Sequence, residues 1–115
     1  KKVSLAPEIE GALELTKYLK ENQIVASIAH TKANYATVKA SIEAGMSSLT
    51  HFYNAMTPLH HRDIGVVGGG LLHNELNAEL IFDKIHVSVP AAKVLLQAKG
   101  LDNVILISKY SSQIP

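Results

Sequence analysis

Short apolar runs alternate along this chain with longer stretches of helical period. Val3-Ser4-Leu5-Ala6 reads as a strand stopped by Pro7. Across residues 8–22, Ile9, Ala12, Leu13, Leu15 and Leu19 recur among Glu10, Glu14, Lys17, Lys20 and Glu21, which predicts an amphipathic helix with one buried face. Residues 24–29 form a second strand, apolar enough to be covered on both sides. A helix is expected over 34–44, with Asn34 as its N-cap and Gly45 as its stop. Further strands are expected over 46–50, 78–82 and 104–107, and a helix over 90–99 closed by Gly100. Residues 52–77, with Pro58, Gly65 and Gly68-Gly69-Gly70, read as one long loop, and a loop of that length is more often functional than idle.

Strand–helix alternation with apolar strands implies a parallel sheet flanked by helices. The predicted strand ends fall near Glu8, His30, His51, Asp83 and Ser108, at separations of 22, 21, 32 and 25 residues that suit repeated βα units. The length of 115 residues fits one domain, and 47% hydrophobic residues supply a core. A net charge of +1 with no basic block argues against a nucleic-acid surface. The absence of cysteine excludes disulfides and thiolate chemistry. No apolar run approaches the ~20 residues of a membrane span, and the first residues lack the pattern of a signal peptide. A soluble, cytoplasmic protein is expected.

Ligands of such sheets bind at the carboxyl ends of the strands. His30 follows the second strand, His51 the third, and Asp83 and His86 the fourth. Imidazoles and a carboxylate on one rim suit a divalent metal, although any one strand-end histidine alone reads as an ordinary hydrogen-bonding residue. His60-His61 lacks helical ligand spacing and reads as solvent-facing, and His73 as a plain loop residue. The glycine triplet could cradle a phosphate but is followed by no Lys-Ser/Thr, so a hinge is the simpler reading. Arg62 could hold a phosphate through its planar fork, or form a surface ion pair with Asp63.

Five blocks carry a family resemblance. They are Val3-Ser4-Leu5-Ala6-Pro7-Glu8, Ala29-His30-Thr31-Lys32-Ala33-Asn34-Tyr35, Thr50-His51-Phe52-Tyr53-Asn54-Ala55-Met56, Pro58-Leu59-His60-His61-Arg62-Asp63-Ile64-Gly65 and Ile81-Phe82-Asp83-Lys84-Ile85-His86-Val87. In order and register, the chain resembles the N-acetylglucosamine-6-phosphate deacetylases of the amidohydrolase superfamily. The resemblance implies part of a metal-dependent (β/α)₈ TIM barrel, about five strands of it. It implies hydrolysis of the N-acetyl group of N-acetylglucosamine 6-phosphate to glucosamine 6-phosphate and acetate. By that likeness His30 and His51 bind a divalent metal, zinc or iron, joined by a glutamate from an earlier strand. Asn54 and Ala55 contact substrate, Arg62 the phosphate, and His86 the sugar or the acetyl carbonyl. The resemblance also implies a homodimer of the complete protein.

The chain departs from the family where the catalytic aspartate is expected, because Lys109-Tyr110 follows Ser108. An ammonium group is no base until it loses its proton, and it repels a metal cation. Asp102 precedes the last strand, roughly 20 Å from Ser108 at ~3.3 Å per residue, and cannot substitute. Lys84 and Ala29, at positions where the family usually has glycine, are milder departures. A full barrel needs about 250 residues. The chain is therefore expected to be an incomplete barrel segment, inactive or nearly so alone. The alternatives are a degenerate, non-catalytic sugar-phosphate-binding module and an independent flavodoxin-like domain.

Overall fold

The computed structural model describes residues 1–83 and 85–107. Its strands are β1 (Lys2–Leu5), β2 (Val25–Ile28), β3 (Ser48–Leu49), β4 (Asn77–Ile81) and β5 (Val104–Ile107). The helices are α1 (Ala12–Glu21), α2 (Tyr35–Ala44), α3 (Gly65–Leu72) and α4 (Val89–Lys99), with a 3₁₀ turn at Leu101–Asn103. All five strands pair in parallel in the order β1-β2-β3-β4-β5. A flavodoxin-like sheet reverses its strand order at a switch point. This one does not, so the flavodoxin-like alternative is excluded and the expected partial (β/α)₈ arc is found.

Right-handed crossovers in an unreversed order put every helix on one side of the sheet. There Ala26, Ile28, Leu49, Ala78 and Leu80 meet Leu19, Val38, Val66 and Leu95 in one buried cluster. Side chains of the opposite parity line the other face. On that face the hydroxyl of Thr50 lies 2.9 Å from Ser4 Oγ and 2.7 Å from Ser27 Oγ, and Lys2 pairs with the buried Glu79. A lysine on β1 that reaches β4 past two intervening strands requires a concave sheet, as on the inside of a barrel.

Helix boundaries follow local chemistry. Asn34 Oδ1 accepts the Thr37 N–H at 2.9 Å, the N-cap expected for α2. Gly45 and Gly100 close α2 and α4 with positive φ.

The expected long loop over 52–77 is corrected by α3. Gly68, Gly69 and Gly70 are buried in this helix and form neither hinge nor phosphate cradle. A Cβ at Gly70 would stand 2.5 Å from the Phe52 ring, one at Gly69 2.8 Å from Val38, and one at Gly68 2.3 Å from Ile64. Close packing therefore overrides the low helix propensity of glycine.

His73 is likewise more than a loop residue. It ends α3, stacks on Tyr35 and lies 2.8 Å from the Tyr35 hydroxyl through Nε2.

Candidate functional site

The carboxyl ends of β2 and β3 deliver His30 and His51 to the same point. Their Nε2 atoms are 3.1 Å apart and their rings meet edge to face. At this distance one ring donates an Nε2–H to the bare Nε2 of the other, or a cation takes the place of that proton and is held by both lone pairs. Two nitrogens on one tetrahedral zinc stand roughly 3.3 Å apart, so the pair is spaced as adjacent ligands are. His51 Nδ1 is buried with no hydrogen-bond partner among the described residues.

The backbone here is held in a sparsely populated region. His30 (φ 49°), His51 (φ 32°), Tyr53 (φ 80°) and Ala55 (φ 55°) are left-handed, four of the five described non-glycine residues with positive φ. Each costs about 1–3 kcal/mol and persists only where its surroundings enforce it.

Those surroundings can be named. The Thr31 N–H donates to the Ala55 carbonyl at 3.0 Å, which ties the two histidine loops together. Tyr53 donates its hydroxyl to the Ala91 carbonyl at 2.7 Å, and burial raises its pKa. Thr57 Oγ1 donates to the Ala33 carbonyl and accepts the Val66 N–H, both at 2.8 Å, so it joins the loop to the start of α3.

Glu8 lies just beyond β1, and its role emerges only from the fold. Its Oε1 accepts the Thr31 hydroxyl at 2.5 Å and its Oε2 the Lys32 N–H at 2.9 Å. Burial opposes its ionised form, but those two donors and the Lys32 charge outweigh it and hold the carboxyl below its ordinary range. The only signal in the sequence was its place at a strand end within the leucine-alanine-proline-glutamate block.

Asp83 stands on the same rim, as expected, but engages His86 and does not join the histidine pair in a metal-binding group among the described residues. Its Oδ1 accepts the Ile85 and His86 N–H groups at 2.8 and 2.9 Å, and Oδ2 lies 2.7 Å from His86 Nδ1. The backbone donors of His86 and Ile85, aided by the His86 ring, lower its pKa to about 2. No group of three histidine, aspartate or glutamate side chains close enough for one metal occurs among the described residues.

Asn54 donates its side-chain amide back to the His51 and Phe52 carbonyls, both at 3.3 Å, and so closes its own turn. Ala55 and His30 line one cavity of about 410 Å³ with Thr31, Lys32, Met56, Thr57 and Pro58. Arg62 is exposed on the following loop. The alternative ion pair with Asp63 is corrected: Asp63 Oδ1 accepts the Tyr35 and Gly65 N–H groups at 3.0 and 2.9 Å, and no Arg62–Asp63 pair occurs among the described residues. His60 and His61 are exposed, as expected. Lys84 and Lys109 lie outside the described residues.

Parallel βα units in sequential order, with functional side chains at the carboxyl rim, are the layout of a TIM-barrel enzyme. No family model matches the chain. It is 46% identical over 106 residues to the N-acetylglucosamine-6-phosphate deacetylase of Bacillus subtilis (strain 168), covering 92% of this chain and 27% of that protein. It is 41% identical over 106 residues to the N-acetylgalactosamine-6-phosphate deacetylase of Escherichia coli O157:H7, covering 92% and 28%. A solved mutant N-acetyl-D-glucosamine-6-phosphate deacetylase from Mycobacterium smegmatis, in complex with N-acetyl-D-glucosamine-6-phosphate, superposes with a TM-score of 0.89 at 33% identity, covering 92% and 28%. The resemblance carried by the motif blocks is thus borne out: in sequence and fold the chain matches a segment of the N-acetylglucosamine-6-phosphate deacetylases. The chain spans about a quarter of the length of the curated relatives it matches.

Proposed function

We propose that this chain is a segment of a metal-dependent amidohydrolase that removes the acetyl group from N-acetylglucosamine 6-phosphate. The observation that carries the reading is the 3.1 Å approach of His30 and His51 Nε2 at adjacent strand ends. In this reading the two imidazoles hold one divalent ion, zinc or iron. When bound, such an ion polarises a carbonyl and lowers the pKa of water.

The chain's own residues bind and orient. The cavity beside His30 takes the sugar against Ala55, and Asn54, which closes the turn before it, contacts the substrate from its edge. Arg62 offers a planar fork to the 6-phosphate. Because Asp83 can only accept, His86 carries a proton on Nδ1; in the neutral ring Nε2 accepts from a sugar hydroxyl, and only the imidazolium donates from Nε2 to the acetyl carbonyl. The complete protein is a cytoplasmic homodimer in this reading. Among the described residues no helix is long and apolar enough to cross a membrane.

Lys109 stands where the family has its catalytic aspartate, so the 115-residue chain alone is inactive or nearly so in this reading. Acetate release with added Zn²⁺ or Fe²⁺ is expected at background, and N-acetylglucosamine 6-phosphate is expected to shift amide resonances at residues 53–57. Turnover at enzymatic rates overturns the reading of Lys109. Equal shifts with the C4 epimer transfer the substrate assignment to the galactosamine series, and no shift with either removes the sugar-phosphate assignment.

A further inference from the structure

We propose that Glu8 is a positioning residue that holds His30 in register with His51. The inference rests on the reading of those two imidazoles as the metal pair. His30 is left-handed, with φ 49°, a conformation that a non-glycine residue keeps only under constraint. The constraint acts on the three residues that follow it. Glu8 grips Thr31 by its hydroxyl and Lys32 by its N–H, one carboxylate oxygen for each. Thr31 Oγ1 in turn accepts the Ala33 N–H at 3.0 Å, so the grip passes through residue 33 toward the start of α2. From the other side, the Ala55 carbonyl takes the Thr31 N–H.

The geometry excludes the simpler role of third metal ligand in this arrangement. The Glu8 carboxylate turns to Thr31 and Lys32, and no third metal-binding side chain joins the histidine pair among the described residues. Hydrogen bonds to an ionised acceptor are about twice as strong as neutral ones. The carboxylate is therefore suited to hold a strained loop from a neighbouring strand. Without it, His30 can relax to right-handed or extended backbone and withdraw its ring from His51.

The test is a Zn²⁺ titration of the 115-residue chain in competition with a chromogenic chelator. The variants are Glu8→Ala, Glu8→Gln, Thr31→Val and His30→Ala. Glu8→Ala is expected to weaken Zn²⁺ binding at least ~10-fold at a temperature where the variant is still fully folded, a loss that a purely structural role would not produce. Glu8→Gln keeps an acceptor for Lys32 but loses the charge, so it should fall between wild type and Glu8→Ala. A metal-free readout accompanies it: the nuclear Overhauser contact between the rings of His30 and His51, present in wild type and lost in Glu8→Ala. If Glu8→Ala does not fold, Glu8→Gln and Thr31→Val, which keep the side-chain volume, carry the comparison. Wild-type affinity and ring contact in the Glu8 and Thr31 variants, with Zn²⁺ lost in His30→Ala, overturn the positioning role alone. Wild-type affinity in His30→Ala overturns the metal reading instead, and the ring contact then decides the clamp by itself.

Discussion

Asp83 and His86 form a closed unit on the rim after β4, with the carboxylate 2.7 Å from the ring Nδ1 and also accepting the His86 N–H. Three donors converge on one side chain, so its proton affinity falls and its position is fixed.

This unit makes the neutral His86 ring carry its proton on Nδ1. Imidazole ¹⁵N shifts of the neutral ring should show Nδ1 protonated in the wild-type chain, and Asp83→Ala should lose that preference. A wild-type ring protonated on Nε2 contradicts the account. The same carboxyl has a folded pKa of about 2, below the ~3.9 of an unfolded aspartate. Its stabilising effect is present above about pH 4 and is lost as pH falls through about 2. An acid unfolding curve should therefore steepen in that window, and Asp83→Asn should flatten it.

Gly70→Ala would improve helix propensity by about 1 kcal/mol. Its new methyl would, however, meet Phe52 at 2.5 Å and Leu49 at 2.8 Å, and both side chains are fully buried. Overpacking of a filled core costs about 1–3 kcal/mol, so the net change should be a destabilisation of up to about 2 kcal/mol. A urea midpoint equal to or above wild type would show that the ring has room to move.

Lys99 is a second electrostatic probe. Its ammonium is buried and donates to the Gly70 and His73 carbonyls at 2.6 and 2.9 Å, which ties the end of α4 to the last turn of α3. Burial lowers its pKa to about 8, with Glu75 opposing the shift. The unfolded lysine keeps its proton up to about pH 10.4. Between about 8 and 10 the unfolded chain therefore binds more protons, and stability should rise with pH. Lys99→Met should remove that slope, as read from denaturation midpoints at pH 8, 9 and 10. A slope that survives the substitution assigns it to another group.

Much of the frame is legible in the amino-acid order, because short runs rich in apolar residues mark the strands and a helical period marks the stretches between them. The spans expected for β1, β2, β4 and β5 agree with those found to within a residue or two, and Asn34 and Gly45 mark the ends of α2. The strand expected over 46–50 shrinks to Ser48–Leu49. The missed element, α3, is hidden for a physical reason. Three consecutive glycines signal a loop locally, and only the closeness of Val38, Leu49 and Phe52 explains why a helix there can carry no side chains.

The rim shows the same division. The expectation that His30 and His51 emerge together follows from strand ends, and the structure brings their rings into contact. The left-handed backbone, the Glu8 grip on Thr31 and the engagement of Asp83 with His86 are contacts between segments. No single segment's composition or period encodes them.

The most direct test of the metal reading is a Zn²⁺ titration of the chain followed by histidine side-chain NMR. One equivalent should shift the Nε2 resonances of His30 and His51 together and leave His60, His61 and His73 in place. His51→Ala should then reduce affinity at least ~100-fold. Shifts confined to His60 and His61, or an affinity indifferent to His51→Ala, would contradict the account.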